Sequence, residues 1–131
     1  MRGRLAFMAD KPRLTPGPNH PITVTPSGDH IVVTAGGRVV ADTRASLTLQ
    51  EANYPPVPYI PLSDVDTSLL TRTDTTTWCP YKGEATYYAV TEGRDAVWEY
   101  QDPSEAVAAV KGHVAFYPDR VDSIAVTPAT S

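Results

Sequence analysis

The chain contains one cysteine, Cys79, so no disulfide bond can form within it. Structural zinc sites need four cysteine or histidine ligands, usually supplied as closely spaced pairs. The three histidines, His20, His30 and His113, lie far apart in the sequence and form no such pair. The sequence therefore predicts no metal site. A dyad of Cys79 with His113 stays open, because such partners meet in space rather than in sequence.

An excess of positive charge is also missing. The chain has 11 basic and 15 acidic residues and a formal net charge of −4, so no basic field gathers nucleic-acid phosphates. No apolar run approaches the roughly 18 residues that span a bilayer. The apolar patch Leu5–Met8 is shorter than a signal-peptide core. We therefore expect a reduced, cytoplasmic protein with no nucleic-acid or membrane partner.

The residues that are present follow the pattern of a mostly β protein. Short β-branched runs alternate with turn-forming Gly, Pro, Asn and Asp residues, and about eight short strands and two short helices are predicted. Residues 1–21 contain several prolines and are predicted to be an extended arm. The single β-rich domain is assigned to residues 22–131, a length that fits one hydrophobic core.

The first half of the domain predicts an antiparallel meander. Four strands are expected between residues 22 and 50, and Gly36–Gly37 supplies the positive φ angles of a tight hairpin. The run 53–61 contains four prolines. Proline pushes its preceding residue to an extended conformation and removes a backbone donor, so this run predicts a stiff crossing at a sheet edge or rim.

The segment after this run is polar. Ser63 is predicted to cap a short helix over residues 64–70, and residues 71–77 are predicted to be turn-like. Asp64 and Asp66 have the spacing that places two carboxylates on one strand face for a cation. At a helix start, capping and compensation of the helix dipole are the better interpretation.

The densest group of polar and aromatic side chains lies at residues 77–84, Thr-Trp-Cys-Pro-Tyr-Lys-Gly-Glu. Proline and glycine bracket Tyr81 and Lys82 and predict a sharp turn, whose ammonium and backbone N–H groups suit an anion. The same lysine would favour the thiolate form of Cys79. In the structural alternative, Cys79 is a small buried side chain and Lys82 pairs with Glu84 on the surface.

Two arginines and several aromatic residues complete the predicted site. Arginine suits bidentate recognition of carboxylate or phosphate, although its commoner role is a salt bridge, here with Glu51 or Asp119. Tyrosine and tryptophan suit the walls of a half-wet pocket, since each offers an apolar body and a polar tip. The predicted ligand-binding residues are Arg44, Tyr59, Tyr81, Lys82, Trp98 and Arg120, and the candidate catalytic residues are Cys79 and Glu84.

A family resemblance rests on four segments, residues 38–43, 54–61, 79–85 and 114–121, which include the runs Cys-Pro-Tyr-Lys-Gly-Glu and Phe-Tyr-Pro-Asp-Arg-Val. Together they resemble the domain-of-unknown-function 427 family, over about residues 22–126. The resemblance implies an antiparallel β-sandwich of the tent type, in which sheets meet at an angle over a cleft. The family also carries a nucleotidyltransferase-like label. This chain has no Gly-Ser turn ahead of Asp64 and Asp66, and it lacks the cysteine pairs with which tent-type relatives often bind zinc.

The leading functional prediction is a small β domain that binds an anionic or nucleotide-like metabolite in a cleft. One alternative is an enzyme that uses Cys79 or Glu84 as nucleophile or general base. Another is a protein-interaction module that exposes the stiff segment 54–61. The chain lacks the phosphate-binding lysine loop, the dinucleotide glycine fingerprint and the Gly-x-Ser-x-Gly turn. The sequence therefore names no cofactor, and it leaves a homo-oligomer open.

Overall fold

The computed structural model describes residues 11–91 and 94–129, so residues 1–10 of the predicted arm lie outside the described part. The described residues form ten strands, which are β1 (Ile22–Pro26), β2 (His30–Ala35), β3 (Arg38–Thr43), β4 (Leu47–Glu51), β5 (Val57–Pro61), β6 (Thr71–Cys79), β7 (Gly83–Ala89), β8 (Val97–Tyr100), β9 (His113–Phe116) and β10 (Ser123–Thr127). The helical segments in the same part are 3₁₀ turns, at Leu62–Asp64, Thr67–Leu69, Glu105–Val110 and Pro118–Arg120. The prediction of a small, mostly β, antiparallel domain is confirmed, with two more strands than expected.

The strands form two antiparallel sheets. The large sheet has seven strands in the order β1-β4-β5-β9-β8-β7-β6, and the small sheet has three in the order β10-β2-β3. β1 therefore pairs with β4 rather than with β2, and the predicted meander of the first four strands is wrong. The Ser27 N–H still bonds to the Ser46 carbonyl beside β4 before the chain leaves for the small sheet. Turn-forming residues indicate where the chain changes direction, but they do not specify which sheet the next strand joins.

The proline-rich run lies partly inside the large sheet, not at its edge. Residues 57–59 of β5 pair with β4, whereas only Ile60 and Pro61 pair with β9. Pro58 thus has a paired strand on one side only. Because proline lacks a backbone N–H, it is tolerated where one side of the strand needs no donor.

The connection from β5 to β6 differs from its prediction in two ways. The helix expected over residues 64–70 is instead two separate 3₁₀ turns, because Val65 between them is extended and forms a bridge to Ala41 of β3. Residues 71–77, predicted to be turn-like, belong to the nine-residue edge strand β6. β-branched threonines suit an extended backbone, and an edge strand tolerates polar side chains.

The large sheet buries apolar side chains on both faces, since successive residues of a strand point to opposite sides. The interior core between the sheets contains Ile31, Val33 and Val40 of the small sheet and Ile60, Val97, Val114 and Phe116 of the large sheet. The opposite face of the large sheet contains a second cluster, which includes five aromatic residues. We call Tyr59, Tyr87, Trp98, Tyr100 and Tyr117 the aromatic face. Val107 and Val110 of the 3₁₀ segment Glu105–Val110 are buried in this cluster.

Candidate functional site

A mostly buried ion pair lies beside the aromatic face, where the end of β4 meets the turn between β6 and β7. The Lys82 ammonium donates to Glu51 Oε1 at 2.5 Å, and His20 Nε2 hydrogen-bonds to Glu51 Oε2 at 2.8 Å. The side chains of Glu51 and Lys82 are only 13% and 14% exposed. Tyr81 stacks on the His20 ring, with 4.0 Å between ring centroids and 8° between the planes. We call His20, Glu51, Tyr81 and Lys82 the ion cluster.

The charge of Glu51 is maintained by its two partners. Burial opposes ionisation of the carboxyl group, and the hydrogen bonds and charges of Lys82 and His20 outweigh that effect, so the pKa of Glu51 lies below its ordinary value of 4.5. The cluster therefore contains one carboxylate that serves two nitrogen partners. The net charge of the ion cluster is close to zero when the His20 imidazole is neutral and positive when that imidazole is protonated.

The turn that carries Lys82 is fixed by backbone contacts. The Lys82 N–H bonds to the Cys79 carbonyl at 3.2 Å, and the Lys82 carbonyl accepts from the Ser104 N–H at 3.0 Å. Gly83 has a φ of +110°, and a Cβ there would lie 3.2 Å from the Asp102 carbonyl oxygen. Only glycine suits this backbone conformation and this close approach. The Lys82 ammonium is thus aimed at Glu51 by the fold and also lies 5.8 Å from the Tyr100 ring centroid.

Within the aromatic face, Tyr59, Trp98 and Tyr117 contact one another in sequence, and the series ends on an arginine. Trp98 Nε1 donates to the Tyr59 hydroxyl at 3.0 Å, and the Trp98 and Tyr117 ring centroids are 4.6 Å apart. The Arg120 guanidinium lies 4.7 Å from the Tyr117 centroid and donates to the Asp95 carbonyl at 2.8 Å. The predicted site residues Tyr59, Trp98 and Arg120 are therefore brought together, with Tyr117 between them.

Burial also determines the protonation of three tyrosine hydroxyl groups of the aromatic face. Desolvation raises the pKa of Tyr117 to about 12, and it raises the pKa of Tyr59 and of Tyr100 still further. These hydroxyl groups stay protonated throughout the physiological range. They can donate or accept a hydrogen bond, but none of them supplies a phenolate base near neutral pH.

The described part of the arm covers the turn between β6 and β7. Trp78 Nε1 donates to the Pro12 carbonyl at 2.8 Å, and the Leu14 N–H bonds to the Pro80 carbonyl at 3.0 Å. The Arg13 guanidinium lies over the Trp78 ring, 5.0 Å from its centroid. Between the arm and the 3₁₀ segment Glu105–Val110 is a cavity of about 470 Å³, which we call the arm cleft. It is lined by Arg13, Leu14, Thr15, Pro16, Tyr81, Ser104, Glu105 and Ala106.

Arg13 is the cation of this cleft. Its Nη1 donates to the Ser104 hydroxyl at 3.3 Å, and none of the ion pairs within the described ranges involves it. Glu105 lines the same cavity and supplies an acceptor. Arginine donors, a hydroxyl group, a carboxylate and an aromatic ring therefore converge on one cavity, a combination typical of a small-molecule site.

Other predicted site residues lie elsewhere. Glu84 is exposed and lies 3.5 Å from Lys11, so the predicted surface pair of Lys82 with Glu84 is wrong. Arg44 is exposed after β3, and among the described residues no ion pair includes it. Cys79 is half-buried and packs against the aromatic face.

His113 and the two aspartates have local roles. The His113 Nδ1 hydrogen-bonds to the Lys111 carbonyl at 3.0 Å. Asp64 accepts from the Thr43 hydroxyl at 2.7 Å, and Asp66 accepts from the Ser68 N–H at 3.2 Å, which is the capping role expected for it. Within residues 11–91 and 94–129, no three His, Cys, Asp or Glu side chains are grouped as metal ligands. In the same ranges no helix has the length and apolar character needed to cross a membrane.

Sequence reasoning missed Arg13, His20, Glu51, Tyr100 and Tyr117 as members of the site. Glu51 and Lys82 are 31 positions apart, and no local pattern links them. One signal becomes readable once β1 is paired with β4. Ile22 then lies opposite Glu51, and His20, two residues earlier, falls on the same side of the sheet.

Comparisons with known proteins identify the family of this chain. The comparison with curated proteins found no match. The family model described as a domain of unknown function (DUF427) matches residues 23–127. Apart from Ile22, this range includes every residue of the ten strands, and it contains three members of the ion cluster, Glu51, Tyr81 and Lys82. Arg13 and His20 precede it. Because the match covers most of the chain, the protein belongs to the DUF427 family.

Proposed function

We propose that the protein binds a small anionic, nucleotide-like metabolite in the arm cleft, beside the ion cluster. A cavity of about 470 Å³ lies within the usual range for a small-molecule site. The proposal rests on one observation above all. The Arg13 guanidinium lies at this cavity with Trp78 and Ser104 as its contacts and no carboxylate paired to it in the described chain.

The lining suggests how such a ligand would lie. The fork of N–H donors on Arg13, with the Ser104 hydroxyl beside it, suits the oxygens of a phosphate or carboxylate group. Tyr81 offers an aromatic wall for a planar ring, and its orientation is fixed by the His20 ring stacked on it. Glu105 suits a ligand hydroxyl or amino group as an acceptor. A ligand with an anionic end and a polar ring matches all of these groups.

In this proposal Lys82 has a supporting role rather than the first anion contact. Its charge is already paired with Glu51 inside the protein. Freeing that ammonium for a ligand would leave a carboxylate desolvated, which is costly. Lys82 instead holds the turn that presents Tyr81. Arg44, Tyr59, Trp98 and Arg120 remain predicted ligand-binding residues without a contact to the arm cleft in this structure.

A thermal-shift screen tests the proposal first. The purified protein is heated with a panel of nucleoside monophosphates, sugar phosphates and dicarboxylates. A ligand at about a hundred times its dissociation constant adds about 2.7 kcal/mol of stability, which raises the melting temperature by several degrees. A nucleotide or sugar phosphate that stabilises the protein is the expected result.

Substitutions then locate the site. Arg13→Gln removes the guanidinium, and loss of a charge-assisted contact is expected to weaken binding by about 10- to 100-fold in calorimetry. Arg38→Gln is the matched control, since Arg38 is an exposed arginine at the start of β3. Equal binding by the wild type and the Arg13 variant would contradict the proposal.

A further inference from the structure

The two sheets have four edge strands, and three of them are protected against pairing with another chain. An edge strand exposes unpaired backbone N–H and C=O groups, and natural proteins block such edges with proline, charge, irregular register or a covering segment. β1 ends at Pro26. β6 carries Arg72 and Asp74 and has a register shift. β3 is covered at Ala41 by the bridge to Val65.

The fourth edge strand, β10, has none of these protections within the described part of the chain. Its five residues, Ser-Ile-Ala-Val-Thr, include no proline and no charge. All but Ile124 are exposed, and Val126 is 50% exposed. β10 pairs with β2 on one side, and no strand in the described chain pairs with its other side. The outward-pointing backbone groups of this strand therefore remain available for an added strand.

The sequence of β10 is nearly palindromic about its centre. With Ala125 on a two-fold axis, Ala125 faces its own copy, Ile124 faces Val126, and Ser123 faces Thr127. An antiparallel pairing of two such strands thus matches β-branched with β-branched and hydroxyl with hydroxyl side chains, both favourable cross-strand pairs. The nearest charged residue, Asp122, falls opposite Pro128 rather than opposite a second acid. A two-fold interface requires this kind of self-complementarity.

The surface beside β10 is apolar as well. Ile124 and Val126 line a cavity of about 540 Å³, together with Trp98, Phe116 and prolines of the run 53–61. Two of the large apolar residues that the described chain exposes, Tyr54 at 62% and Val126 at 50%, line this one cavity. In the two-fold pairing, Ile124 and Val126 of both copies lie on the same face and extend this apolar surface.

We propose that β10 is a self-association edge, and that a second copy of this chain pairs with it antiparallel about Ala125. The two small sheets then form one continuous six-stranded sheet. Two paired five-residue strands bury only a small interface area. The dimer is therefore expected to form reversibly, at micromolar or higher protein concentration. The proposal is independent of the arm cleft, which lies at other residues.

Sedimentation equilibrium over a range from micromolar to millimolar protein tests the association. The expected result is a concentration-dependent rise from the monomer mass towards twice that mass. Ala125→Lys places two like charges directly opposite each other and is expected to leave a monomer at every concentration. Thr76→Lys, at an exposed position of the edge strand β6, is the control and is expected to associate as the wild type does. A monomeric wild type, or a dimer that Ala125→Lys does not disrupt, would overturn the proposal.

Disulfide trapping tests the register and does not depend on the lysine variant folding. In a Cys79→Ser background, Ala125→Cys is expected to crosslink with itself under mild oxidation, because opposed Cα atoms lie about 4.5–5.5 Å apart. Ser123→Cys and Thr127→Cys are expected to crosslink with each other and not with themselves. Crosslinking of Ser123→Cys with itself, or no crosslinking of Ala125→Cys, would overturn the pairing. Circular dichroism confirms that each variant is folded.

Discussion

Glu51 and Lys82 form an ion pair that links two strands that are not neighbours in the large sheet. Three strands, β5, β9 and β8, lie between β4, which ends at Glu51, and β7, which follows Lys82. Neighbouring strands are about 4.8 Å apart, so in a flat sheet these two side chains could not meet. The sheet must therefore curl around the aromatic face, as twisted sheets do. The ion cluster joins the two sides of that curl.

We predict that Glu51→Gln destabilises the protein by about 2–4 kcal/mol, because it leaves the mostly buried Lys82 ammonium without its counter-charge. Urea unfolding followed by circular dichroism measures the change. Glu84→Gln is the matched control. It breaks the exposed contact with Lys11, for which a loss of at most about 1 kcal/mol is expected. Similar losses for the two variants would contradict a special role for Glu51.

The same pair predicts a dependence on acid. The pKa of Glu51 is lower in the folded state than its ordinary value. At pH values above the unfolded-state pKa, the ionised carboxylate therefore stabilises the folded state. That stabilisation is lost as the pH falls through the lower, folded-state pKa. The difference in unfolding free energy between wild type and Glu51→Gln should therefore be largest near pH 7 and shrink below about pH 4. A difference that stays constant from pH 7 to pH 3 would show that charge is not its source.

The aromatic face predicts an incomplete phenolate titration. The chain has 7 tyrosines, and burial raises the pKa of Tyr117 to about 12 and those of Tyr59 and Tyr100 further. Phenolate absorbance of the native protein should therefore account for only part of the tyrosines by pH 11. The same protein in urea should titrate completely near pH 10. These tyrosines lose their protons less readily in the folded state than in the unfolded state. The free energy of unfolding should therefore fall as the pH rises above 10. Complete titration near pH 10 with a native circular dichroism spectrum would contradict this account.

The attachment of the arm depends on Trp78. Trp78→Ala removes both the hydrogen bond to the Pro12 carbonyl and the ring under the Arg13 guanidinium. We expect trypsin to cleave after Arg13 several times faster in this variant, because proteases need a locally released segment. Mass spectrometry of the early digestion products identifies the bond. Tyr54→Ala, which removes another exposed ring, is the control and should leave that cleavage rate unchanged. An unaltered rate in the Trp78 variant would show that the arm is held by other contacts.

Local rules predicted most strands from the sequence but not their partners. The alternation of Leu47 and Leu49 correctly predicted β4, and Gly36–Gly37 correctly predicted the hairpin between β2 and β3. The pairing of β1 with β4 could not be read, because it is a contact between segments separated by a complete hairpin. β6 was missed since its polar threonines have the composition of a turn. An edge strand is stabilised mainly by one neighbour rather than by its own apolar pattern.

The site was predicted in part for the same reason. The sharp turn that carries Tyr81 and Lys82, bracketed by proline and glycine, was correctly predicted within the run 77–84. The partners of that turn come from the arm, from β4 and from the segment after β8, all distant from it in sequence. A sequence read one segment at a time identifies a residue such as Lys82, but its counter-charge on Glu51 is a property of the topology.

A nuclear magnetic resonance titration shows directly whether a small anionic metabolite binds in the arm cleft. The ¹⁵N-labelled protein is titrated with the nucleotide or sugar phosphate that stabilises it most in the thermal-shift screen. We expect saturable shifts of the backbone amides of Arg13, Tyr81, Ser104 and Glu105. In Arg13→Gln these shifts should saturate only at about 10- to 100-fold higher ligand concentration, and in Arg38→Gln the titration should be unchanged. Saturable shifts confined to other surfaces, or an unchanged titration in the Arg13 variant, would contradict the proposed site.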